Sequence, residues 1–534
     1  MVSGMVSGKS ILSILAWVTL LAHSGHAAPY VNVSVSTLAA HLERLQPQIF
    51  PGLQNISAEI FNHPEIGRDE FFAHEINIGY FQNVKPGLWE VSPWILPSLP
   101  TAWKLEFSHA PVDWPEDQPL PTVGFLSEYD ALEGIGHACG HHLIYLQGVY
   151  AANLARQALI DLDIPGHLVV IGTPDEEESC GKHDLFVAGV FETSQVWLMA
   201  HPTNANAIQP MSARQNIVVR VIQNSHFDAV KAAYNMLVPI KNLSGNLPAT
   251  SSTAALVEDV GMFVCNVVQA DISLGVVGPS LSTVNNAINA IKVTNPGYAT
   301  TNFTVAEDPN MEGGVAIMFI GNAGHAAANN LGALDLSVDV FQALNASSPT
   351  FEFYLPDNTT STELDFTVDV RTRFGDDLQG VVDFVLGFIP TANFSLDVMY
   401  PALEVDTYLG PLFVDTIALP EYGAQDWPIS TFAPAATDAS WIQLPNVLAQ
   451  GGNHSLQSVR KATLHANFNI CDLGMGLCPF NHEPPFRLIA GTDFAYNQTE
   501  IVGRAIAQIA VELLNDPDMM AAATKDIQAG PQPV

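Results

Sequence analysis

The chain has 534 residues, of which 48% are hydrophobic and 14% are charged. It carries 19 basic and 54 acidic side chains, and its formal charge at pH 7 is −35. This balance argues against a protein that binds nucleic acid or an anionic membrane, because such proteins carry a basic surface. The length predicts two or three domains with a sizeable core.

The first residues have the form of a secretory signal. Lys9 precedes the apolar run ILSILAWVTLLA (residues 11–22), and the small residues Gly25 and Ala27 follow it. A short basic region, an apolar run of about a dozen residues and a small-residue exit are typical of a signal peptide. A membrane anchor is the alternative, but the run is short for a bilayer span. We therefore expect residues 1–27 to be removed and the mature protein to be secreted, extracellular and free of the membrane.

Asn-X-Ser/Thr sequons accompany this signal-like start. The nine sequons begin at Asn32, Asn55, Asn242, Asn302, Asn345, Asn358, Asn393, Asn453 and Asn497. A single sequon carries little information, whereas nine behind a signal-like segment predict N-glycosylation of a secreted protein.

Hydrophobic periodicity predicts alternating helices and strands in the first part of the chain. Helices are expected over residues 35–49, 62–81 and 143–159, and strands over residues 122–132, 167–174 and 196–202. Polar clusters follow the strands. Such alternation indicates an α/β layer structure, in which functional sites lie at the carboxyl ends of the strands.

The segment 212–395 has a different texture, with few charges, many short β-branched runs and five of the nine sequons. Residues 216–237 and 313–344 share an outline of strand, turn with a histidine, and helix, which suggests two related halves. Residues 362–374 alternate in the manner of an edge strand. We interpret 212–395 as an inserted α+β domain.

The α/β texture is expected to return over residues 396–525. A last helix is predicted around TEIVGRAIAQIAVELLN, residues 499–515. Residues 40–211 and 396–525 are therefore predicted to form one domain that the inserted segment interrupts.

Candidate metal ligands follow several of the predicted strands. They are Cys139 and His141 in GIGHACGHHLI, Glu176 and Glu177 after a strand, His201 at a strand end and His482 in NHEPPF. Zinc takes imidazole, thiolate and carboxylate ligands, and a pair of ions about 3.5–4 Å apart needs several shared ligands. Five of these residues supply such a set. The remaining Glu176 is then available as a base toward a metal-activated water.

The five cysteines are an odd number for a secreted protein, so one of them is expected to serve another purpose than a disulfide. Cys139 is the candidate because histidines surround it. The other four suffice for two disulfides, and Cys471 and Cys478 are close enough to close a small loop.

GFLSEYDALEGIGHACGHHLI resembles the signature of the zinc metallopeptidase family of aminoacylases, glutamate carboxypeptidases and dipeptidases (metallopeptidase family twenty). It is most similar to the amidohydrolase branch with an HACGH motif, which includes auxin-conjugate hydrolases and β-alanyl-lysine-type dipeptidases. Further segments resemble that family in the same order: NHPEIGRDE, LPTAWKLEF, VVIGTPDEEESCGKHDLFVAGVF, VWLMAHP, TFAPAATDASW and NHEPPF.

The resemblance implies a catalytic domain with a mixed sheet flanked by helices and an inserted α+β lid, through which two copies can form a homodimer. It implies two divalent ions, zinc rather than manganese in the first instance, held by Cys139, His141, Glu177, His201 and His482. It also implies Glu176 as general base and Asp130 as a carboxylate beside the ligands.

The family's lid histidine binds the substrate or the oxyanion, and GNAGHAA places that role on His325. His226 is a rival, because the inserted domain is longer than in the most similar branch. Two other positions depart from the family pattern. His142 stands where relatives have Asp or Asn, and ESCG replaces a glycine-rich run after the paired glutamates. His137 is expected to lie in a turn near the site.

The implied activity is hydrolysis of an amide bond in a dipeptide, an N-acyl amino acid or a small amino-acid conjugate. The alternative is an inactive, metal-stabilised binding or scaffold protein of the same fold, which the ESCG departure and the long inserted domain motivate. Glu176 argues against it, because a structural site needs no spare carboxylate. The sequence lacks the G-x-S-x-G elbow of a serine hydrolase.

Overall fold

The structure is a computed structural model of the chain. It describes residues 31, 33–241, 254–256, 267–268, 271–321, 324–325, 332–357, 359–373, 375–389, 393–444, 461–472, 474, 476 and 478–525. The predicted signal, residues 1–27, lies outside them. Within these ranges, no helix combines the length and the hydropathy that a membrane span needs.

The helices of the described residues occur in both parts of the chain. They are α1 (Val35–Asn62), α2 (Phe71–Gly79), α3 (His141–Leu162), α4 (Gly181–Val187), α5 (His226–Lys241), α6 (Leu281–Thr294), α7 (Ala333–Ser347), α8 (Gly375–Leu386), α9 (Leu409–Ile417), α10 (Pro484–Ala490), α11 (Asp493–Asn515) and α12 (Pro517–Lys525). A π-helical turn covers Tyr80–Val84, and short 3₁₀ helices cover Val190–Thr193, Pro296–Tyr298, Pro420–Tyr422 and Asp438–Gln443.

The strands form two four-stranded sheets, one seven-stranded sheet and a short pair within the described ranges. They are β1 (Glu90–Ser92), β2 (Trp103–His109), β3 (Thr122–Ser127), β4 (Gly166–Gly172), β5 (Val196–Thr203), β6 (Ala207–Ile208), β7 (Ala213–Ile222), β8 (Ala254–Leu256), β9 (Val267–Val268), β10 (Asp271–Val277), β11 (Asn302–Glu307), β12 (Gly314–Ile320), β13 (Gly324–His325), β14 (Glu352–Tyr354), β15 (Glu363–Thr372), β16 (Asn393–Leu396) and β17 (Ala462–Asn469).

A seven-stranded mixed sheet forms the centre of the main domain, with the order β1-β2-β4-β3-β5-β17-β6. Strands β3, β4, β5 and β17 run parallel to one another, and the remaining three strands pair antiparallel. Strand β17 follows the inserted segment in sequence and pairs with β5, which precedes it. Both parts of the chain therefore build one sheet, and the predicted α/β class with a mixed sheet is confirmed.

The parallel strands are almost continuously apolar because helices cover both faces of the sheet. Helices α1, α3 and α11 pack on one face, and nearly all of α3 is buried. Helix α4 and the 3₁₀ helix Asp438–Gln443 contribute to a second apolar cluster on the opposite face. The carboxyl ends of β3, β4 and β5 consequently open onto one edge that loops can line.

The first helix differs from its prediction. Helix α1 has 28 residues and runs through Pro47 and Pro51 to Asn62, so the predicted end near residue 49 is wrong. Each proline removes an N–H donor, but the apolar face with Leu45, Phe50 and Leu53 continues across both of them and is buried. The predicted helix over 62–81 is therefore confined to α2 and the π-helical turn that follows it.

The inserted domain contains two antiparallel four-stranded sheets, with orders β16-β7-β15-β8 and β11-β12-β10-β14. A single apolar cluster includes residues from both sheets and from helices α5, α6, α7 and α8. The two similar segments of the sequence lie in different sheets, one as β7 followed by α5 and the other as β12 followed by α7. The prediction of an edge strand over residues 362–374 is wrong.

Strand β15 is an interior strand that pairs with β7 on one side and β8 on the other. Its alternating charged residues include a pair that is buried. Asp369 accepts hydrogen bonds from Arg214 Nε at 3.1 Å and from Arg371 Nη2 at 2.9 Å, and all three side chains are buried. Charge alternation in this part of the strand thus reflects a buried ion cluster rather than a solvated edge.

The chain enters and leaves the inserted domain along two linkers that pair with each other. The amide of Met211 donates to the carbonyl of Leu403 at 2.8 Å. Arg214 and Tyr400 exchange two backbone hydrogen bonds, each of 2.8 Å. This paired connection fixes the inserted domain next to the edge of the main sheet where the polar loops lie.

Candidate metal centre

The predicted ligands come from loops at one edge of the main sheet. Glu176 and Glu177 follow β4, His201 lies near the end of β5, and His482 lies in the loop before α10. Cys139 and His141 lie at the start of α3, next to the loop that follows β3. The carboxyl ends of neighbouring parallel strands therefore bring distant parts of the sequence together, as expected for an α/β sheet.

The turn between Cys139 and His141 requires a glycine. Gly140 has φ +86°, and a Cβ on it would lie 2.7 Å from Cγ of Pro202. Only glycine adopts this conformation without strain and without that clash. The turn starts α3 and places the thiol and the imidazole on the same side of the chain.

Six side chains, the five predicted ligands and Glu176, converge at this edge. Three groups of ligand atoms, each within 4.8 Å of one another, can hold a metal ion: Cys139, His141 and His201; Cys139, Glu177 and His482; and His141, Glu176 and Glu177. Cys139 Sγ lies 3.5 Å from His201 Nε2. Glu177 Oε1 lies 3.5 Å from His141 Nε2 and 3.2 Å from His482 Nε2. Cys139 and Glu177 each belong to more than one group, so they are positioned to be shared.

The chemistry of these atoms fits divalent metal ions. Both carboxylate oxygens of Glu177 and Nε2 of His141 are buried and have no hydrogen-bond partner among the described residues. Burial raises the pKa of Glu177, but His482 and His141 outweigh this and lower it to about 2. A buried carboxylate without donors is costly unless a cation binds it. One thiol, three imidazoles and a carboxylate are ligands that zinc and similar ions accept.

Asp130 orients two of the ligands. Its Oδ1 lies 2.8 Å from Nδ1 of His141, and its Oδ2 accepts a hydrogen bond of 2.9 Å from the amide of Glu177. Burial lowers the pKa of His141, but Asp130 and Cys139 raise it well above its usual value. The contact with Asp130 directs Nε2 of His141 toward the other ligands, which is the role of a carboxylate behind a metal-bound histidine.

Glu176 lies beside the candidate ligands, and its pKa is shifted in the opposite direction from that of Glu177. Its Oε2 is 3.9 Å from His141 Nε2. Burial raises the pKa of Glu176, and the neighbouring Glu177 and Asp438 raise it further. A carboxyl group with a raised pKa in such a position is suited to accept and return a proton.

The turn that carries both glutamates is held by Tyr400 from the linker. The Tyr400 hydroxyl donates a hydrogen bond of 2.8 Å to the carbonyl oxygen of Glu176. The Arg214 guanidinium lies over the Tyr400 ring, 5.1 Å from its centroid. The connection between the domains is therefore linked directly to the backbone of Glu176, a contact that no sequence motif predicts.

A buried ion network lies under the site, and the sequence motifs did not predict it. Lys182 Nζ lies 2.6 Å from Glu128 Oε1 and 2.5 Å from Asp438 Oδ1, and all three side chains are fully buried. Glu128 Oε2 lies 3.7 Å from His141 Nε2. Burial raises the pKa of Glu128, but Lys182 and His141 lower it below its usual value. The signal in the sequence is weak because Lys182 and Asp438 are 256 positions apart.

Asn481 joins three ligand segments, and it too was missed. Its Nδ2 donates to the carbonyl of Cys139 at 3.1 Å and to the carbonyl of Pro202 at 2.9 Å. The next residue, His482, has φ +70°, and its amide donates to the carbonyl of Ala138 at 2.9 Å. The loop before α10 is thereby fixed against the turn that carries Cys139 and the end of β5.

The other two histidines of the HACGHH stretch pack in the interior. His137 Nε2 lies 3.1 Å from the carbonyl of Ile60, and His142 Nε2 lies 3.0 Å from the carbonyl of Ala490. Both rings contact Phe61, and burial lowers the pKa of His142 to about 3. Neutral imidazoles bonded to backbone carbonyls stabilise the start of α3 and are turned away from the ligand groups.

The two candidate lid histidines have different surroundings. His325 lies in β13, whose backbone pairs with Val267 of β9, and its side chain is outside the described part. His226 Nδ1 donates to the carbonyl of Ser361 at 2.6 Å, and its Nε2 accepts from the amide of Leu355 at 3.0 Å. Both ring nitrogens of His226 are therefore engaged inside the inserted domain, which argues against His226 as the rival.

Four of the five cysteines lie in the described residues, where they form one disulfide and two free thiols. Cys471 and Cys478 form a disulfide with a Cα–Cα distance of 5.9 Å. Cys180 is a buried free thiol in an apolar cluster, so it does not take part in a second disulfide. The remaining Cys265 lies outside the described residues.

Several predicted glycosylation sites are accessible. The exposed asparagines are Asn55, Asn302, Asn393 and Asn497, and Asn345 is half-buried. The sequons at Asn32, Asn242, Asn358 and Asn453 lie outside the described residues. An exposed asparagine is what attachment of a glycan requires.

The fold and the site define an α/β protein with a candidate divalent-metal centre at the edge of its mixed sheet. The chain is 39% identical over 200 residues to the Xaa-Arg dipeptidase of Homo sapiens, a match that covers 34% of this chain and 45% of the relative. It is 40% identical over 169 residues to the Xaa-Arg dipeptidase of Mus musculus, covering 31% and 38%. The chain thus matches less than half the length of these relatives.

A more distant relative is a component of the p-aminobenzoyl-glutamate hydrolase of Escherichia coli. The chain is 26% identical to it over 171 residues, which cover 28% of this chain and 32% of that protein. No protein-family profile matches. These relatives, two dipeptidases and a hydrolase of an amino-acid conjugate, confirm the resemblance that the sequence motifs indicate over the part of the chain that they match.

Solved structures with a similar arrangement include the aminobenzoyl-glutamate utilization protein of Klebsiella pneumoniae, with 12% identity, a TM-score of 0.47 and coverage of 89% of this chain and 98% of that one. A dinuclear metal-binding peptidase of the M20 family from Bacillus subtilis has 13% identity, a TM-score of 0.41 and coverage of 87% and 99%.

Proposed function

We propose that the protein is a secreted, glycosylated, metal-dependent amidohydrolase that cleaves an amide bond in a dipeptide, an N-acyl amino acid or a small amino-acid conjugate. The observation that carries the proposal is the convergence of five candidate ligand side chains, Glu177 among them, with Glu176 beside them. The names of the relatives, Xaa-Arg dipeptidase and p-aminobenzoyl-glutamate hydrolase, support this class of substrate.

The proposed reaction assigns a separate task to each group. Two divalent ions, zinc in the first instance or manganese, would polarise the scissile carbonyl and lower the pKa of a water molecule when bound. Glu176 takes the proton from the attacking water and returns it to the leaving amine. Asp130 keeps His141 in the orientation that a ligand needs, through its 2.8 Å contact with Nδ1.

The inserted domain is proposed to complete the site. His325 is assigned to the substrate or the oxyanion, because a positive charge or an N–H donor there stabilises the tetrahedral intermediate. A homodimer through this domain is part of the proposal. Strand β16 is an edge strand on which Phe394 and Leu396 are exposed, and such a surface is available for a second copy.

A non-catalytic alternative is a metal-stabilised binding or scaffold protein of the same fold. The ESCG segment favours it, because this segment departs from the family pattern next to the paired glutamates. The buried Glu176 argues against it, because a purely structural site needs no second carboxyl group with a raised pKa beside the ligands.

The decisive experiment compares Glu176→Gln with wild type on a panel of dipeptides, N-acyl amino acids and p-aminobenzoyl conjugates. We expect the variant to retain its metal and to lose at least about 100-fold in kcat, because general acid–base catalysis contributes that much or more. Glu178→Gln is the matched control, since Glu178 is an exposed neighbour in the same turn. Unchanged turnover in Glu176→Gln contradicts the assigned base.

Secretion and glycosylation have their own test. Expression of the full chain in a eukaryotic secretory host is expected to release a protein whose apparent mass falls after treatment with an N-glycosidase. Retention in the cell without any glycan contradicts this part of the proposal and leaves the metal centre untouched.

A further inference from the structure

Strand β17 carries two buried polar side chains that lack partners. His465 is 4% exposed and Asn467 is 1% exposed. Both ring nitrogens of His465 and both amide atoms of Asn467 have no hydrogen-bond partner within the described part of the chain. Buried polar groups are normally hydrogen-bonded, so four such atoms on two neighbouring positions need an explanation.

These two side chains lie on the face of the sheet that carries a metal ligand. In the parallel pair of β17 and β5, Asn467 is opposite His201 and His465 is opposite Met199. Residues two apart on a strand, and residues opposite each other on paired strands, point to the same face. The ring of His465 accordingly lies 6.0 Å from the ring of His201, measured between centroids.

The ammonium group of the nearby Lys182 contacts Glu128 and Asp438 rather than His465 or Asn467. A buried asparagine elsewhere in the main domain shows the ordinary structural arrangement. Asn153 accepts a hydrogen bond of 3.1 Å from Trp89 Nε1 and donates one of 2.7 Å to the carbonyl of Val149. Asn153 thus has partners for both its oxygen and its nitrogen, whereas both amide atoms of Asn467 lack partners among the described residues.

We propose that His465 and Asn467 form a substrate subsite for an uncharged hydrogen-bonding group of the carboxamide type. This inference rests on the proposed function. Asn467 offers two N–H donors and a carbonyl acceptor, and a neutral imidazole offers one donor and one acceptor. A carboxamide uses both kinds of group. A carboxylate has no donor, an ammonium has no acceptor, and an apolar group leaves all four atoms without partners.

Discrimination between isosteres tests the subsite. Asparagine and leucine side chains have nearly the same shape, so the dipeptide pairs Asn-Ala and Leu-Ala, and Ala-Asn and Ala-Leu, differ mainly in polarity. A site built to hydrogen-bond a substrate rejects the apolar analogue strongly. We expect wild type to prefer the Asn member of one pair by roughly 100-fold in kcat/KM.

The variants Asn467→Leu and His465→Phe are expected to lose this preference, so that the ratio of kcat/KM for the Asn member to that for the Leu member falls from roughly 100 toward 1. Equal turnover of both members in both pairs by wild type overturns the inference, and so does a preference that survives in both variants. If wild type cleaves no dipeptide, N-acyl amino acid or p-aminobenzoyl conjugate, the proposed function fails instead, and stability then decides whether His465 and Asn467 have a structural role.

Stability separates a subsite from a structural role without any substrate. Asn467→Leu removes buried atoms that have no partners, so its Tm is expected to equal or exceed that of wild type. Asn153→Leu is the matched control and is expected to lower the Tm, since it breaks two buried hydrogen bonds. A loss of Tm in Asn467→Leu as large as in the control shows a structural role and overturns the inference.

Discussion

The protein contains two buried charged clusters that are built in opposite ways. In the inserted domain, Asp369 is bonded to Arg214 and Arg371, so the buried carboxylate has two guanidinium partners. At the edge of the main sheet, Glu177 faces His141 and His482, and its oxygens accept no hydrogen bond from the described residues. The carboxylate of the first cluster has its cationic partners within the fold, whereas the second cluster is arranged to receive a cation.

This contrast separates structure from function among buried charges. Burial raises the pKa of Asp369, but Arg214 and Arg371 outweigh this effect and lower it below its usual value. The partners of Glu177 are imidazoles that are themselves candidate ligands, so its environment would change on metal binding. Disrupting the first cluster should affect folding, and disrupting the second should affect metal binding and turnover.

The largest effect is expected from removing a ligand. His482→Ala should lower the metal content of the purified protein and reduce kcat/KM for any substrate by more than about 1000-fold, because even a residue behind a ligand costs 10–100-fold. Elemental analysis and turnover measure the two losses. The half-buried neighbour Glu483 supplies the control Glu483→Gln. Full metal content together with full activity in His482→Ala would remove His482 from the centre.

Breaking the Asp369 cluster of the inserted domain is expected to lower the stability of the protein and to leave its metal content unchanged. Asp369→Asn leaves two guanidinium groups buried without their carboxylate, which costs about 3–5 kcal/mol of unfolding free energy. Denaturant unfolding measures this loss. The protein that remains folded should hold its metal as wild type does. A loss of metal without a loss of stability would show that the two clusters are not independent.

The stability lost in Asp369→Asn should depend on pH, because folding lowers the pKa of Asp369. The pKa of Asp369 is lower in the folded protein than in the unfolded chain, where it is about 3.9. The carboxylate therefore contributes its full stability above that unfolded value and loses the contribution as the pH falls through the folded pKa. The difference in unfolding free energy between wild type and Asp369→Asn should be largest above about pH 5 and shrink in acid. A difference that grows in acid would contradict the assigned charge.

An intermediate effect is expected from Asp130→Asn. The substitution keeps the shape but weakens the contact with His141 Nδ1, so metal affinity should fall about 10–100-fold. Competition with a chelator measures this change. Excess metal should restore the activity of Asp130→Asn, since the ligands themselves are intact. A variant that binds metal as tightly as wild type would show that Asp130 has no orienting role.

The smallest effect is expected from Tyr400→Phe, which removes one hydrogen bond to the carbonyl of Glu176. One neutral hydrogen bond is worth about 1 kcal/mol, so kcat should fall by about 5-fold, with unchanged metal content. The pH profile of kcat should also move, because the environment of Glu176 changes. If kcat and its pH profile are those of wild type, the linker does not position the base.

The convergence of the candidate ligands could be predicted from the sequence because each belongs to a recognisable motif, and the structure brings them together at one edge of the main sheet. The end of helix α1 could not be predicted. Prolines such as Pro47 and Pro51 normally end a helix, but burial of the apolar face keeps α1 helical through both of them. The prediction that β15 is an edge strand is wrong. Charge alternation describes neighbouring positions of one strand, whereas the ion pair that explains it joins Asp369 to Arg214, 155 positions away. Lys182 and Asp438 escape sequence reasoning for the same reason, since 256 positions separate them.

The proposed activity depends on the cluster around Glu177 being a metal centre. The most direct measurement is the number of divalent ions bound per chain after purification and dialysis, determined by elemental analysis alongside Glu177→Gln as the altered site. We expect about two ions per chain of wild type and fewer in the variant. A wild-type protein that binds no divalent ion when zinc or manganese is supplied would contradict the metal centre.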